Sequence, residues 1–288
     1  MKIAYYPGCS LHSTGIEYDL SGRRVCQDLD IELQELPDWT CCGASSAHVT
    51  DHVLALALPA RNLALADDLG LDVTAPCAAC YNRLQVTRHE LAHDPKLRQE
   101  VEELLGRPYT GRAAVRSLVD LVASVGEEAV RQRTRRPLRG LKVAAYYGCL
   151  LVRPAGILQP DDPENPQGLD RILAAAGAEP VEWPFKTECC GASFALTDHT
   201  EVVTRLVAQL VDGAQAAGAE AIVTACPLCH SNLDMRQETA PGATPLPVYY
   251  FTELLGIAFG HSAAELGIGK HSIDGTQLLA QHGWSQAV

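Results

Sequence analysis

Ten of the chain's eleven cysteines fall into one pattern that is written twice along its 288 residues. The pattern runs Cys9, then the adjacent pair Cys41-Cys42, then Cys77 and Cys80. It returns as Cys149, Cys189-Cys190, Cys226 and Cys229. Thiolates gathered in this number are ligands for soft metals. A structural zinc takes four donors, usually as two separated Cys pairs, and the side chains of adjacent cysteines diverge too far to reach one small ion. A cluster offers several irons for them to reach. Ordinary four-iron clusters also take four cysteines, so five per half point to an iron–sulfur cluster of unusual ligation. The glycine after each pair, Gly43 or Gly191, lets the backbone come close to such a group. In each CxxC, a helix start lets two thiolates converge, and the helix N-terminus favours their negative charge. A single CxxC would also suit a thioredoxin-like dithiol or a zinc site; five cysteines repeated twice suit neither. Cys26 has no counterpart in the second half and, beside Val25 and Leu29, reads as a buried structural thiol.

The rest of the composition narrows the class. A chain that is 47% apolar and 20% charged has material for one large domain or two modest ones. Its formal net charge of −12 argues against a nucleic-acid surface or an anionic membrane as partner. The opening Met1–Ser10 has no apolar core of a secretory signal, and no run approaches the roughly 18 apolar residues of a membrane helix. A soluble cytoplasmic protein is expected, where clustered cysteines serve as metal ligands or redox groups more often than as disulfides.

The elements that must position these cysteines repeat with them. Lys2–Cys9 recurs as Lys142–Cys149, Cys41–Ser45 as Cys189–Ser193, Thr50-Asp51-His52 as Thr197-Asp198-His199, and Cys77–Cys80 as Cys226–Cys229. The order is kept and the offsets drift only from 140 to 149, so the chain is a duplication. Ile3–Tyr6 and Val143–Tyr147 read as strands that end in a Gly-Cys turn. Ile31–Leu36, Ala178–Trp183, Leu71–Thr74 and Ala221–Thr224 read as further strands, the last two running straight into a CxxC. Tyr18–Leu29, Leu169–Ala176, Val53–Leu69 and Val202–Ala217 read as helices, the two long ones capped by Thr50-Asp51 and Thr197-Asp198. Strands alternating with helices predict an α/β repeat with a mostly parallel sheet. The basic, Pro/Gly-terminated stretch Arg131–Gly140 reads as a solvated linker, so the halves are expected to be 1–138 and 139–288.

Cys, then Cys-Cys-Gly, then Cys-x-x-Cys, present twice, resembles the CCG-domain proteins, and nearly the whole chain is similar to the B subunit of heterodisulfide reductase and its bacterial relatives. The resemblance extends to Tyr249–Gly256 and to Lys270-His271. It implies two tandem, pseudo-symmetric CCG domains. Each would bind a noncubane [4Fe-4S] cluster through its five cysteines, and all ten ligand positions hold cysteine here. It further implies that a disulfide is reduced, or formed, between the two clusters. No C-x2-C-x2-C-x3-C run and no G-x-G-x-x-G fingerprint occur. A bound flavin or nicotinamide is therefore not expected. By the same resemblance the partners are the ferredoxin-like and the flavoprotein subunits of such a complex, its C and A components.

Around the cysteines, His12, His48 and His230 are candidates to donate a proton to a leaving thiolate, since histidine titrates near neutrality. Each could equally be a hydrogen-bonding neighbour of the site. Arg153 could read an anionic substrate group or simply face solvent. His52, His199, Asn82 and Asn232 read as structural, and Trp39, Trp183 and Met235 as packing residues. Two other functions remain open: an electron-transfer iron–sulfur component without its own substrate, and a zinc-stapled scaffold.

Overall fold

In the computed structural model, residues 1–45, 47–195, 199–237 and 245–284 are described, with His48 described in its backbone only. Two four-stranded sheets are built from β1 (Lys2–Tyr5), β2 (Glu32–Glu35), β3 (Val73–Ala75), β4 (Val115–Ser117), β5 (Lys142–Tyr146), β6 (Glu179–Pro180), β7 (Ala221–Thr224) and β8 (Val248–Tyr250). Their order is β2-β1-β3-β4 and β6-β5-β7-β8, with every pairing parallel. The two sheets therefore have one topology, as the repeat requires. Val73–Ala75 and Ala221–Thr224 are buried along their whole length, as parallel strands covered by helices on both faces must be.

This order explains where the cysteines gather. From β1 the chain moves to β2 on one side and then crosses back to β3 on the other, so a crevice opens between β1 and β3 at their carboxyl ends. Register aligns Tyr5 with Thr74, and Tyr146 with Thr224 in the second sheet. Gly8-Cys9 and Cys77 thus leave adjacent strands at one edge, and Gly148-Cys149 and Cys226 do the same. The loops after β2 and β6 bring the adjacent pairs to that edge too.

Local chemistry sets the helices that carry the motifs. His52–Leu69 is capped by Asp51, whose carboxylate accepts from the Leu54 amide at 2.7 Å, and it ends at Gly70 in the left-handed region. The matching cap in the second half, Thr197-Asp198, lies outside the described residues, and His199 precedes the helix Thr200–Ala216. Cys77 and Cys226 stand at the N-cap positions of Ala78–His93 and Pro227–Met235.

Several expectations change. Ala178–Trp183 pairs only over Glu179–Pro180; the amides of Glu179 and Val181 donate to Leu141 O and Val143 O at 2.8 and 2.9 Å, and Pro180, which has no amide, sits between them on an edge strand where none is needed. Val115–Ser117 and Val248–Tyr250, three residues each, close the sheets although neither is long enough to announce itself by alternation. Arg131–Gly140 is not a free tether. Its first residues finish the helix Glu127–Arg133, the amides of Arg135 and Arg136 donate to Ala258 O at 2.8 and 2.9 Å, and Leu138 is fully buried.

The halves share one apolar core. Helix Ile16–Asp28 of the first lies on Phe251–Phe259 of the second. The Tyr18 ring stacks on Tyr250 at 4.2 Å and 6°, Ser21 and Thr252 hydroxyls meet at 2.6 Å, and the Tyr18 hydroxyl donates to Ala225 O at 3.2 Å.

Candidate iron–sulfur sites

Each half brings its motif cysteines to the crevice in the same arrangement. Cys42 Sγ lies 3.4 Å from Cys80 Sγ, and Cys190 Sγ lies 3.5 Å from Cys229 Sγ. The Gly43 and Gly191 amides donate to the sulfurs of Cys41 and Cys189 at 3.4 and 3.3 Å. The two glycines have φ of 74° and 80°, a conformation that points the amide back at the preceding cysteine with little cost only for glycine. A tyrosine just past β1 or at the end of β5 holds each loop in place. Tyr6 donates to Thr40 O and Tyr146 to Glu188 O, both at 2.7 Å and both one residue ahead of the adjacent pair.

The crevice has a closed side and an open one. Cys42, Cys77, Cys80, Cys190, Cys226 and Cys229 are buried; Cys9, Cys41 and Cys189 are exposed, and Cys149 is half-buried. Gly8 and Gly148 floor the sites, since a Cβ on either would approach Cys80 Sγ to 2.9 Å or Cys229 Sγ to 3.1 Å. Contact with Cys42 and Cys77, and then burial, hold the Cys80 thiol well above its ordinary pKa; Cys190, Cys226 and burial do the same to Cys229. So many thiolates cannot share a buried space without a positive group to balance them.

The donor chemistry therefore fits a multi-iron cluster. It offers soft sulfurs, amide donors to sulfur and helix N-termini beside the CxxC. Among the described residues, no three His, Cys, Asp or Glu side chains are arranged to hold a single metal ion. The sites also back onto one another. The Cys77 thiol is held well above its ordinary pKa first of all by Cys226, the matching cysteine of the other half.

The other candidates separate. His12 caps the short helix Gly8–Leu11 that carries Cys9 and is exposed, 3.4 Å from Glu35 and edge-on to Trp39 at 5.2 Å. His48 lies on the short helix Ala47–Thr50, with its side chain outside the described residues. His230 is in the core. Its Nε2 meets Val248 O at 3.0 Å, its ring stacks on Tyr250 at 4.2 Å, and burial followed by the His271 charge pushes its pKa down to about 3. His271 is paired with the buried Glu253 at 2.9 Å. Arg153 reaches Thr187 O and Glu164, at 3.1 and 2.8 Å. Cys26 is fully buried in helix Ile16–Asp28, and burial pushes its thiol up to about 12.

Asn82 and Asn232 are not equivalent. The first lies two positions after its CxxC and the second three. Asn232 Nδ2 donates to Cys190 O at 3.1 Å within its own site. Asn82 instead crosses to the other half, donating to Leu150 O at 3.1 Å and Arg153 O at 2.7 Å, and so ties down the Cys149 loop. Spacing alone hid this, because the acceptors lie 68 and 71 residues away. Asn82→Ala is expected to cost about 1–3 kcal/mol through the abandoned carbonyls. Urea denaturation of the variant checks it, and unchanged stability would mean the loop holds itself.

Comparison with known proteins agrees with the repeat. The family model described as Cysteine-rich domain (CCG) matches residues 3–85 and again 143–234. The 8-methylmenaquinol:fumarate reductase membrane anchor subunit of Wolinella succinogenes is 33% identical, over 96% of this chain and 99% of its own. The B subunit of the ferredoxin/F(420)H(2)-dependent CoB-CoM heterodisulfide reductase of Methanosarcina acetivorans is 30% identical, over 97% and 96%. A protein of Archaeoglobus profundus described as like the heterodisulfide reductase B subunit is 29% identical, over 90% and 91%. A crystal structure of a hypothetical protein from Helicobacter pylori matches with TM-score 0.69 and 12% identity, over 95% of this chain and 52% of that one. That likeness concerns the fold alone.

Proposed function

The chain belongs to the CCG cysteine-rich-domain family, with the B subunits of heterodisulfide reductases among its relatives, and from that premise we propose that it is the iron–sulfur catalytic subunit of a heterodisulfide reductase-like complex. Its two repeats, 1–138 and 139–288, would each hold a noncubane [4Fe-4S] cluster. Cys9, Cys41, Cys42, Cys77 and Cys80 form one ligand set; Cys149, Cys189, Cys190, Cys226 and Cys229 form the other. The observation that carries this reading is the pair of matching five-cysteine crevices whose inner thiols, Cys77 and Cys226, interact across the halves.

When bound, the two clusters supply the electrons, one each, for splitting a disulfide. The balance is one disulfide, two electrons and two protons giving two thiols. Exposed Cys9, Cys41 and Cys189 mark the side from which the substrate approaches. His12 and His48 would hand a proton to a departing thiolate, a role that rests on their nearness to Cys9 and Cys42 in the sequence. His230, tied to Val248 and Tyr250, supports the CxxC helix instead. Electrons would arrive from the ferredoxin-like and flavoprotein subunits of the complex. Among the described residues no helix is long and apolar enough to cross a membrane, and we assign the complex to the cytoplasm.

The fumarate reductase relative supports a second reading: an electron-transfer component that serves another enzyme's substrate site. Iron, acid-labile sulfide and EPR on anaerobically purified protein separate the two. About eight irons and eight sulfides, with a paramagnetic signal that depends on an added thiol or disulfide, are expected for the catalytic role. The same iron with no response to any thiol favours electron transfer alone. Zinc without sulfide would sink both.

A further inference from the structure

The two sites match cysteine for cysteine, yet the position three residues after each CxxC differs. It is Arg83 in the first half and Asn232 in the second. Three residues is nearly one helical turn, so both side chains return to the cysteine end of their helix. Asn232 shows where that leads: its Nδ2 lies 3.8 Å from Cys190 Sγ, the inner sulfur of the adjacent pair. Arg83 occupies the matching position on the helix Ala78–His93 of the first half. One guanidinium nitrogen donates to Ala55 O at 3.2 Å. Ala55 lies one turn ahead of Leu58 on the same helix, and Leu58 is, with Ala47, a residue against which Gly43 packs.

Arg83 lacks an ordinary counter-charge. Its Nε is buried with no hydrogen-bond partner, and no carboxylate pairs with it, among the described residues. An arginine stays charged at any working pH, and a half-buried charge of this kind needs an anion nearby. The anions at hand are the thiolates of the first site, whose CxxC begins the helix that carries Arg83. The second site has a neutral amide in the same position.

We propose that Arg83 and Asn232 split the reduction potentials of the two sites, the first-half site being the easier to reduce. This rests on the reading that each site holds a cluster. A fixed positive charge with no carboxylate partner would stabilise the added electron in the first half, whereas the cations near the second site, Arg153 and Lys186, are each paired with a carboxylate, Glu164 and Asp170. An electron delivered to the second half by the complex's iron–sulfur partner would then move on, past Cys226 and Cys77. The second site is oxidised by one electron and the first reduced by one, and no proton is exchanged at Arg83.

Spectroelectrochemical titration of the anaerobic holoprotein tests this, with iron and sulfide measured on the same samples. Arg83→Gln is expected to lower one of the two midpoint potentials, shifting the electron's distribution between the sites about tenfold, or about 59 mV for a one-electron couple. The other midpoint should stay put. Arg83→Lys keeps the charge and should keep most of the potential, which a merely structural role would not predict. In a Cys190→Ser background, the remaining first-half site should still show the shift. Unchanged potentials in a fully loaded Arg83→Gln protein, or equal movement of both, would overturn the proposal and leave the cluster reading intact. Wild-type protein without iron and sulfide would overturn the cluster reading, and the proposal with it.

Discussion

Cys190→Ser is expected to leave the protein with about half its iron and sulfide, while Cys26→Ala leaves all of both. The contrast follows from position. Cys190 is buried at the crevice, 3.5 Å from Cys229, with the Asn232 amide beside it. Serine presents a hard oxygen in place of a soft thiolate and is a poor substitute at iron. The loss stays in one half because the first-half sulfurs follow strands of a different sheet, β1, β2 and β3 rather than β5, β6 and β7. Cys26 faces apolar neighbours in helix Ile16–Asp28, and removing its sulfur opens only a small cavity. Metal analysis of the three purified proteins decides the matter. Iron unchanged in Cys190→Ser would remove the adjacent pairs from the ligand set, and iron lost from Cys26→Ala would add an eleventh cysteine to the problem.

Tyr250→Ala should destabilise the protein by about 3–5 kcal/mol, the usual cost of deleting a buried aromatic ring. Tyr250→Phe should be close to neutral or slightly stabilising. The ring is fully buried and sandwiched, with Tyr18 of the first half on one face and His230 of the second-half CxxC helix on the other, each at 4.2 Å. Stacked pairs of this sort contribute about 0.5–1.5 kcal/mol beyond the area they bury. The hydroxyl, by contrast, has no hydrogen-bond partner among the described residues, so folding strips it of water for no return. Urea denaturation followed by circular dichroism gives both numbers. If Tyr250→Phe proved as damaging as Tyr250→Ala, the hydroxyl would have to be bonded, for instance to a buried water shared with the unpartnered Nδ1 of His271.

The two halves repeat their cysteines but not the residues around them. The cysteines, the tethering tyrosines Tyr6 and Tyr146 and the left-handed glycines are duplicated. What surrounds them is not. Three residues after Cys9 stands His12, exposed; three after Cys149 stands Val152, buried. Arg83 answers to Asn232 in the same way. The duplicated scaffold thus keeps its cysteines and varies their neighbours, which gives the two crevices different charge and cover.

Much of this was written locally. Ligand chemistry depends on which residues sit at strand ends and helix starts, and that is a matter of spacing within a few residues. Thus Cys77 at its helix N-cap, Asp51 as the cap of His52–Leu69, and the two-fold recurrence of every motif could be read directly. Where local signals were weak, elements slipped by. The helix Pro95–Leu105 buries little beyond Val101, yet Asp94 as cap with Pro95 behind it was a legible start.

Tertiary structure alone decided the rest, because burial and pairing across the chain are properties of distant surfaces meeting. Tyr18 finds Ala225 at a separation of 207 residues, and Asn82 finds the Cys149 loop at a separation of 68. No periodicity encodes either meeting. His230 changed from a candidate acid to a buried, neutral ring only once Val248 and Tyr250 were seen to close over it. The basic stretch Arg131–Gly140 likewise became a docked strap when Ala258 supplied its acceptor. Sequence determined the donors, their number and the strand ends that carry them; packing determined which neighbours give each set of donors its charge, its cover and its open face.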